Sequence, residues 1–199
     1  EDEAALAAVV NAALASAQEY PDSVLLREAN TDHFLRTRQL AKALAELDIS
    51  TTTFPERKRY WGQRLQVLIQ MGDEDGAEAQ LIEMVERFPE DIEQKATLVR
   101  FYLSRDKDDS AEEFLRQLVA DAEEGNIAPR VDLVRFLLER RDIQAGMAEL
   151  DSAIASEPNP TPFILLKAGL DFSTGEQDAA IASLATIRET AEPGEETNS

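Results

Sequence analysis

Apolar residues along this chain return at steps of three and four, and no run of Val, Ile and aromatic residues alternates with polar ones at a step of two. The first spacing gathers side chains on one face of an α-helix, whereas the second would line one face of a strand. The eight glycines and eight prolines are expected to fall mostly between the helical segments, where they close one helix and open the next. The pattern predicts an all-α chain of short helices.

The prolines also supply a ruler. Pro21, Pro55 and Pro89 stand 34 residues apart, Pro158 falls 69 beyond Pro89, and Pro193 lies 35 beyond that. Twelve positions before Pro55, Pro89 and Pro158 stand Ala43, Ala77 and Gly146; Val9 is a bulkier first instance, and Ala111 and Ala180 take the slot in the remaining units. Four residues on come Leu47, Leu81, Leu115, Leu150 and Leu184, and three further Ser50, Met84, Leu118, Ala153 and Ile187. A small residue at a helix crossing lets two helices approach, and the Leu beside it fills the space. The clearest unit reads WGQRLQVLIQMG, with Trp61, Leu65, Leu68 and Gly72, followed by AEAQLIEMVERFP.

On these residues the chain resembles the tetratricopeptide repeat family, whose 34-residue unit is a helix-turn-helix with an aromatic near its start and an A-x3-F…P ending. The resemblance implies a right-handed α-solenoid of about five repeats, stacked because no single hairpin buries enough apolar surface alone. One array is expected over residues 1–194, with a half-repeat at 1–23, repeats at 24–57, 58–91, 92–126, 127–160 and 161–194, and a flexible acidic tail at 195–199. In the unit from Ile92, Glu123 stands where the proline belongs, so its connector should be longer by about a residue. In the last unit Gly169 and Phe172 fit the first helix only if it shifts by one residue relative to Ala180 and Leu184. In the unit from Val24, Asn30-Thr31-Asp32 should interrupt the first helix and offer a new N-cap.

Charge and composition narrow the partners. Lys and Arg total 20 against 40 Asp and Glu, a net charge of −20 with a pI near 4.3, which repels phosphate backbones and anionic headgroups. Nucleic acid is excluded as a first partner. No stretch approaches the ~18 apolar residues of a membrane span, so direct membrane insertion is not expected. Without cysteine there is no disulfide, thiolate nucleophile or Cys-ligated metal. Glu1 opens the chain without Met, EDEA lacks the basic region of a secretory signal, and Val9, Ala13 and Pro21 fit the second half of a repeat. The expectation is therefore a piece of a longer array, or a lone capping helix over residues 3–19, in a periplasmic or membrane-anchored bacterial setting, with the cytoplasm the close alternative. Arg outnumbering Lys three to one, in an Ala-rich chain, points the same way toward a GC-rich bacterial genome.

Chemistry-bearing motifs are sparse. His33 is the sole histidine, and beside Thr31 and Asp32 it reads as part of a helix start rather than as a catalytic base. GDEDG at 72–76 lacks the EF-hand pattern, and its carboxylates suit the dipole of the following helix. No catalytic residue, metal site or cofactor is expected, and the chain is not read as an enzyme.

The family resemblance instead implies a concave groove touched by the second, fifth, ninth and twelfth positions of each first helix. Those are Arg59, Gly62, Gln66 and Ile69, then Glu93, Ala96, Arg100 and Leu103, then Ala128, Val131, Arg135 and Leu138. Gln66, Ile69, Arg100, Leu103, Arg135 and Leu138 form the candidate partner-binding set, an arginine row beside apolar steps that suits a carboxylate-bearing, partly apolar peptide. The opposing reading makes Arg100 and Arg135 counter-charges for acidic groups on the next helix. The two-carboxylate clamp of the chaperone-binding members is absent, because Gln63, Thr97 and Asp132 stand where Asn belongs. The implied function is a non-catalytic protein-interaction scaffold; the alternative is a structural spacer or self-associating solenoid, part of a larger envelope protein.

Overall fold

The computed structural model describes residues 22–191 and, ahead of them, Ala8, Val9, Asn11, Ala12, Ala15, Ser16, Glu19 and Tyr20. Among the described residues there are helices and turns and no strand, so the chain is an all-α helical repeat. We number the helices α1 (Val24–Arg36), α2 (Leu40–Thr53), α3 (Lys58–Met71), α4 (Glu74–Arg87), α5 (Ile92–Leu103), α6 (Asp108–Ala120), α7 (Ala128–Arg140), α8 (Ile143–Ser156), α9 (Thr161–Thr174) and α10 (Gln177–Ala191). The chain divides into two compact units, Glu1–Phe101 and Tyr102–Ser199. In the first, α1 packs on α2, α2 on α3 and α3 on α4; in the second, α6, α7, α8, α9 and α10 each pack on the next. The tail 195–199, Ala13 and Pro21 lie outside the described residues, and Val9 is exposed.

The reversals between paired helices have a common local cause. Arg38, Gly72, Asp106 and Gly175 adopt left-handed backbone, with φ of 55°, 73°, 53° and 92°. The following N–H then reaches back to the helix: Gln39 N donates to Phe34 O, Asp73 N to Leu68 O, Lys107 N to Tyr102 O and Glu176 N to Asp171 O, at 2.8–3.0 Å. These bonds satisfy carbonyls that a helix end leaves open. Glycine adopts that backbone freely, whereas Arg38 and Asp106 carry a Cβ into it at ~1–2 kcal/mol. The second helices begin on acidic caps in two places: Asp73 Oδ1 accepts from Gly76 N at 2.9 Å, and Asp142 Oδ1 from Ala145 N at 2.7 Å.

The small residues Ala43, Ala77, Ala111, Gly146 and Ala180 are all buried. Tyr60 closes over Phe34, Ala43, Leu47 and Val67 in the first unit, and Phe163 over Val134, Leu150 and Ala153 in the second. Trp61 is buried too, its Nε1 donating to Pro55 O at 2.9 Å.

Three local expectations are corrected. Helix α1 runs unbroken through Asn30 and Thr31, which are buried in its middle, so Asp32 starts nothing and His33 lies within the helix, edge-on to Phe34. Tertiary packing overrides the weak local preference of Asn and Thr for caps. The connector between α6 and α7 has seven residues, 121–127, against four in 54–57, 88–91 and 157–160. One residue is inserted, α6 ends one position early, and α7 starts one late. Finally, α9 makes no shift: Ala168 and Asp171 turn inward, while Phe172 is exposed and a Cβ on Gly169 would meet open space.

Candidate partner-binding face

The outward positions of the first helices are best followed within each unit. In the first unit Arg59 of α3 reaches two carboxylates of α1, Glu28 at 3.4 Å and Asp32 at 3.9 Å. Side chains at these repeat positions therefore face one another across neighbouring first helices. Beyond Arg59 the face of α3 continues through Gly62, with open space where a side chain would stand, to exposed Gln66 and Ile69. On α5, Arg100 Nη2 donates to Glu93 Oε1 at 2.6 Å and to Thr97 Oγ1 at 2.9 Å, with 61% of its side chain exposed. At the start of the unit's next turn, Lys58 Nζ donates to Asp91 Oδ2 at 2.6 Å, and this bond holds the Asp91 carboxyl below its ordinary range.

In the second unit Arg135 is 65% exposed and lies 3.5 Å from Asp132, on its own helix. Leu103 is half-buried, and its carbonyl accepts from Arg140 Nη2 at 3.0 Å. Leu138 is half-buried against the Val134, Leu150, Ala153 and Phe163 cluster. It leans over Gly146 of α8, into the space that a Cβ would take. The structure thus presents Gln66, Ile69, Arg100 and Arg135 to solvent and turns Leu103 and Leu138 partly inward. Arg100 and Arg135 have carboxylate partners on the same helix, two turns and one turn away, and not on the next helix. Exposed pairs of that kind contribute ~0–1 kcal/mol, so a partner's carboxylate can replace them at little cost.

Other arginines are committed to the fold. Arg141 bonds Asp109 and Glu112, Arg116 bonds Glu112 and Glu149, and Arg130 pairs with Glu149 and Glu157. Together they run as an alternating chain of charge across α6, α7 and α8. Burial pushes the Glu112 carboxyl up, but the bonds from Arg141 and Arg116 outweigh it and hold the group below its usual range. Asp109 and Glu112 in turn raise the Arg141 guanidinium.

Sequence reasoning missed a repeat-related pair of ion pairs. Arg27 and Arg130 occupy the position that Trp61 holds in its own repeat, and Glu46 and Glu149 the position of Gln80. Arg27 Nη1 meets Glu46 Oε1 at 2.8 Å, buried, and Arg130 Nε meets Glu149 Oε1 at 3.2 Å. Aligning the chain on its own period would have exposed them, since both members recur 103 residues on. Among the described residues no group of three or more His, Cys, Asp or Glu is arranged to hold a metal ion. No described helix is long and apolar enough to cross a membrane.

Comparison with known proteins bears on the fold. Residues 68–127 match the family described as tetratricopeptide repeat. No curated protein matches the chain. Among solved structures, the chain is similar to a tetratricopeptide repeat protein from Parabacteroides merdae, at 12% identity and a TM-score of 0.44, covering 98% of this chain and 75% of that one. It is also similar to YrrB, a TPR protein with an unusual peptide-binding site, at 11% identity and a TM-score of 0.44, covering 88% and 90%. The structure of Naa15/Naa10 bound to HypK-THB matches at 14% identity and a TM-score of 0.52, over 89% of this chain but only 28% of that one, and shows a shared fold. Helical hairpins recur at this period along the described chain, and over residues 68–127 they are similar to the tetratricopeptide repeat family.

Proposed function

We propose that this protein is a non-catalytic interaction scaffold that binds an extended or helical segment of another protein in the groove lined by its first helices. The similarity of residues 68–127 to tetratricopeptide repeats supports an interaction scaffold, and that family is generally non-catalytic. The observation that carries the finer reading is the state of Arg100 and Arg135. Their side chains are 61% and 65% exposed, and each is paired with a carboxylate of its own helix. Gln66 and Ile69 are exposed in the first unit, and Leu103 and Leu138 are half-buried in the second. Such a surface suits a carboxylate-bearing segment with apolar side chains, bound by charge-assisted hydrogen bonds.

The test is fluorescence titration against a library of acidic, partly apolar peptides. Arg100→Ala and Arg135→Ala should each weaken the best binder by ~1.5–3 kcal/mol, without lowering the denaturation midpoint. The loss on substitution should shrink as salt rises, because exposed charges are screened over ~8–10 Å near 0.1–0.15 M. Unchanged affinity together with a lower midpoint would make both arginines counter-charges of the fold and remove the proposed face.

A further inference from the structure

The last hairpin leaves apolar surface that its counterparts cover. Leu47, Leu81, Leu115 and Leu150, which share one repeat position, are at most 4% exposed, whereas Leu184 in that position of α10 is 47% exposed. Inside the chain the cover is visible twice: Tyr60 of the following hairpin packs with Leu47, and Phe163 with Leu150 and Ala153. Ile181, one turn before Leu184, is 66% exposed, and on α9 so are Leu165, Leu166 and Phe172, at 43–66%. Residues Phe163, Ile164, Ala168 and Asp171 already bury the opposite side of α9. This helix is therefore apolar around most of its circumference, the pattern of a helix covered on both sides.

We propose that the outer face of α9 and α10 is a self-association surface, on which a second copy of this chain seats its own α9–α10 face across a two-fold axis. Charge favours this surface over others. Copies that each carry −20 repel wherever carboxylates are dense. Residues 161–187 hold only Lys167, Asp171, Glu176 and Asp178 as charged groups. Lys167 bonds Asp151, Asp171 is buried, and the other two sit at the turn between the helices and the first turn of α10. Area agrees as well. The five exposed side chains offer roughly 500 Å² of apolar surface, and the exposed Ala179, Ala182 and Ala185 of α10 extend it toward the ~800 Å² per partner of a specific interface. Phe172, uncovered in its own molecule, supplies the aromatic that Tyr60 and Phe163 supply within the chain. An isologous contact uses up both faces at once and closes at two copies.

Sedimentation velocity of the intact chain from 1 to 100 μM tests this. A concentration-dependent monomer–dimer equilibrium is expected, weakened at least tenfold by Leu184→Glu and by Phe172→Ser and unaffected by Leu25→Ser, at an exposed leucine of the first unit. Far-UV circular dichroism of each variant should match the parent, since the replaced side chains are exposed. The parent has no cysteine, so Ala185→Cys should oxidise to a disulfide-linked dimer, while Ala79→Cys should not. A strict monomer at 100 μM overturns the proposal. Mass growing past the dimer overturns the two-fold arrangement in favour of head-to-tail stacking. Neither outcome touches the first-helix face, whose test is peptide affinity.

Discussion

Gly146→Ala places the smallest side chain at the tightest contact of the α7–α8 hairpin. A Cβ built there lies 2.6 Å from Leu138 Cγ and closer still to Cδ2, where 3.4–4 Å is ordinary contact. The overlap is about 1 Å, so either Leu138 leaves its position or the helices part. Overpacking of this size costs ~1–3 kcal/mol. Against it stands the gain from replacing glycine inside a helix, ~1 kcal/mol. The substitution alone should therefore lie between neutral and ~2 kcal/mol destabilising. With Leu138→Ala in place the overlap is gone and only the helical gain remains, so the same change should stabilise by ~1 kcal/mol. Urea melts of the parent, both single variants and the double variant close the cycle, with an expected coupling of ~1–3 kcal/mol. If Gly146→Ala stabilises both backgrounds equally, Leu138 does not fill that space and its inward placement is wrong.

Ala77→Phe, at a fully buried crossing, should cost ~1–3 kcal/mol, while exposed Ala79 should accept Phe almost freely; equal losses in a thermal melt would contradict the crossing contact. Glu46→Ala removes a carboxylate from the buried Arg27 guanidinium and should cost clearly more in denaturant than Glu93→Ala at the exposed Arg100 pair, which should cost ~0–1 kcal/mol. Glu112 titrates lower in the folded chain than in the unfolded one, so it adds stability above about pH 4.3 that is lost as pH falls through its lower folded value. Chemical denaturation between pH 6 and 3 should therefore show a shallower acid loss for Glu112→Gln than for the parent, and identical slopes would refute it.

The helical class was legible because the marks that carry it are steric. A buried crossing needs Ala or Gly, a neighbouring gap needs Leu, and both recur at one period. Phe172 shows where that reading ends. A first helix with apolar residues all round has no polar face to set its rotation, so Gly169 and Phe172 looked like the inward pair while Ala168 and Asp171 took that side. Asn30 and Thr31 misled for a related reason: their local preference is worth a fraction of a kcal/mol and yields to burial against a neighbouring hairpin. On the candidate face, exposure of Gln66, Ile69, Arg100 and Arg135 follows from their polarity or their place opposite the stripe. Leu138 differs because its environment depends on a missing Cβ eight residues away on another helix.

The alternating run from Asp109 through Arg141, Glu112, Arg116, Glu149 and Arg130 to Glu157 gives the second unit its own dependence on conditions. Stripping water from charged groups becomes less costly as temperature rises, while the gain from apolar contact levels off. Heating therefore favours these clamps relative to the apolar stripes, and concentrated salt, with a screening length of ~3 Å at 1 M, weakens them. Along that run brine should act first on its most exposed members, Asp109 and Arg116, and last on the half-buried Arg130 and Glu149.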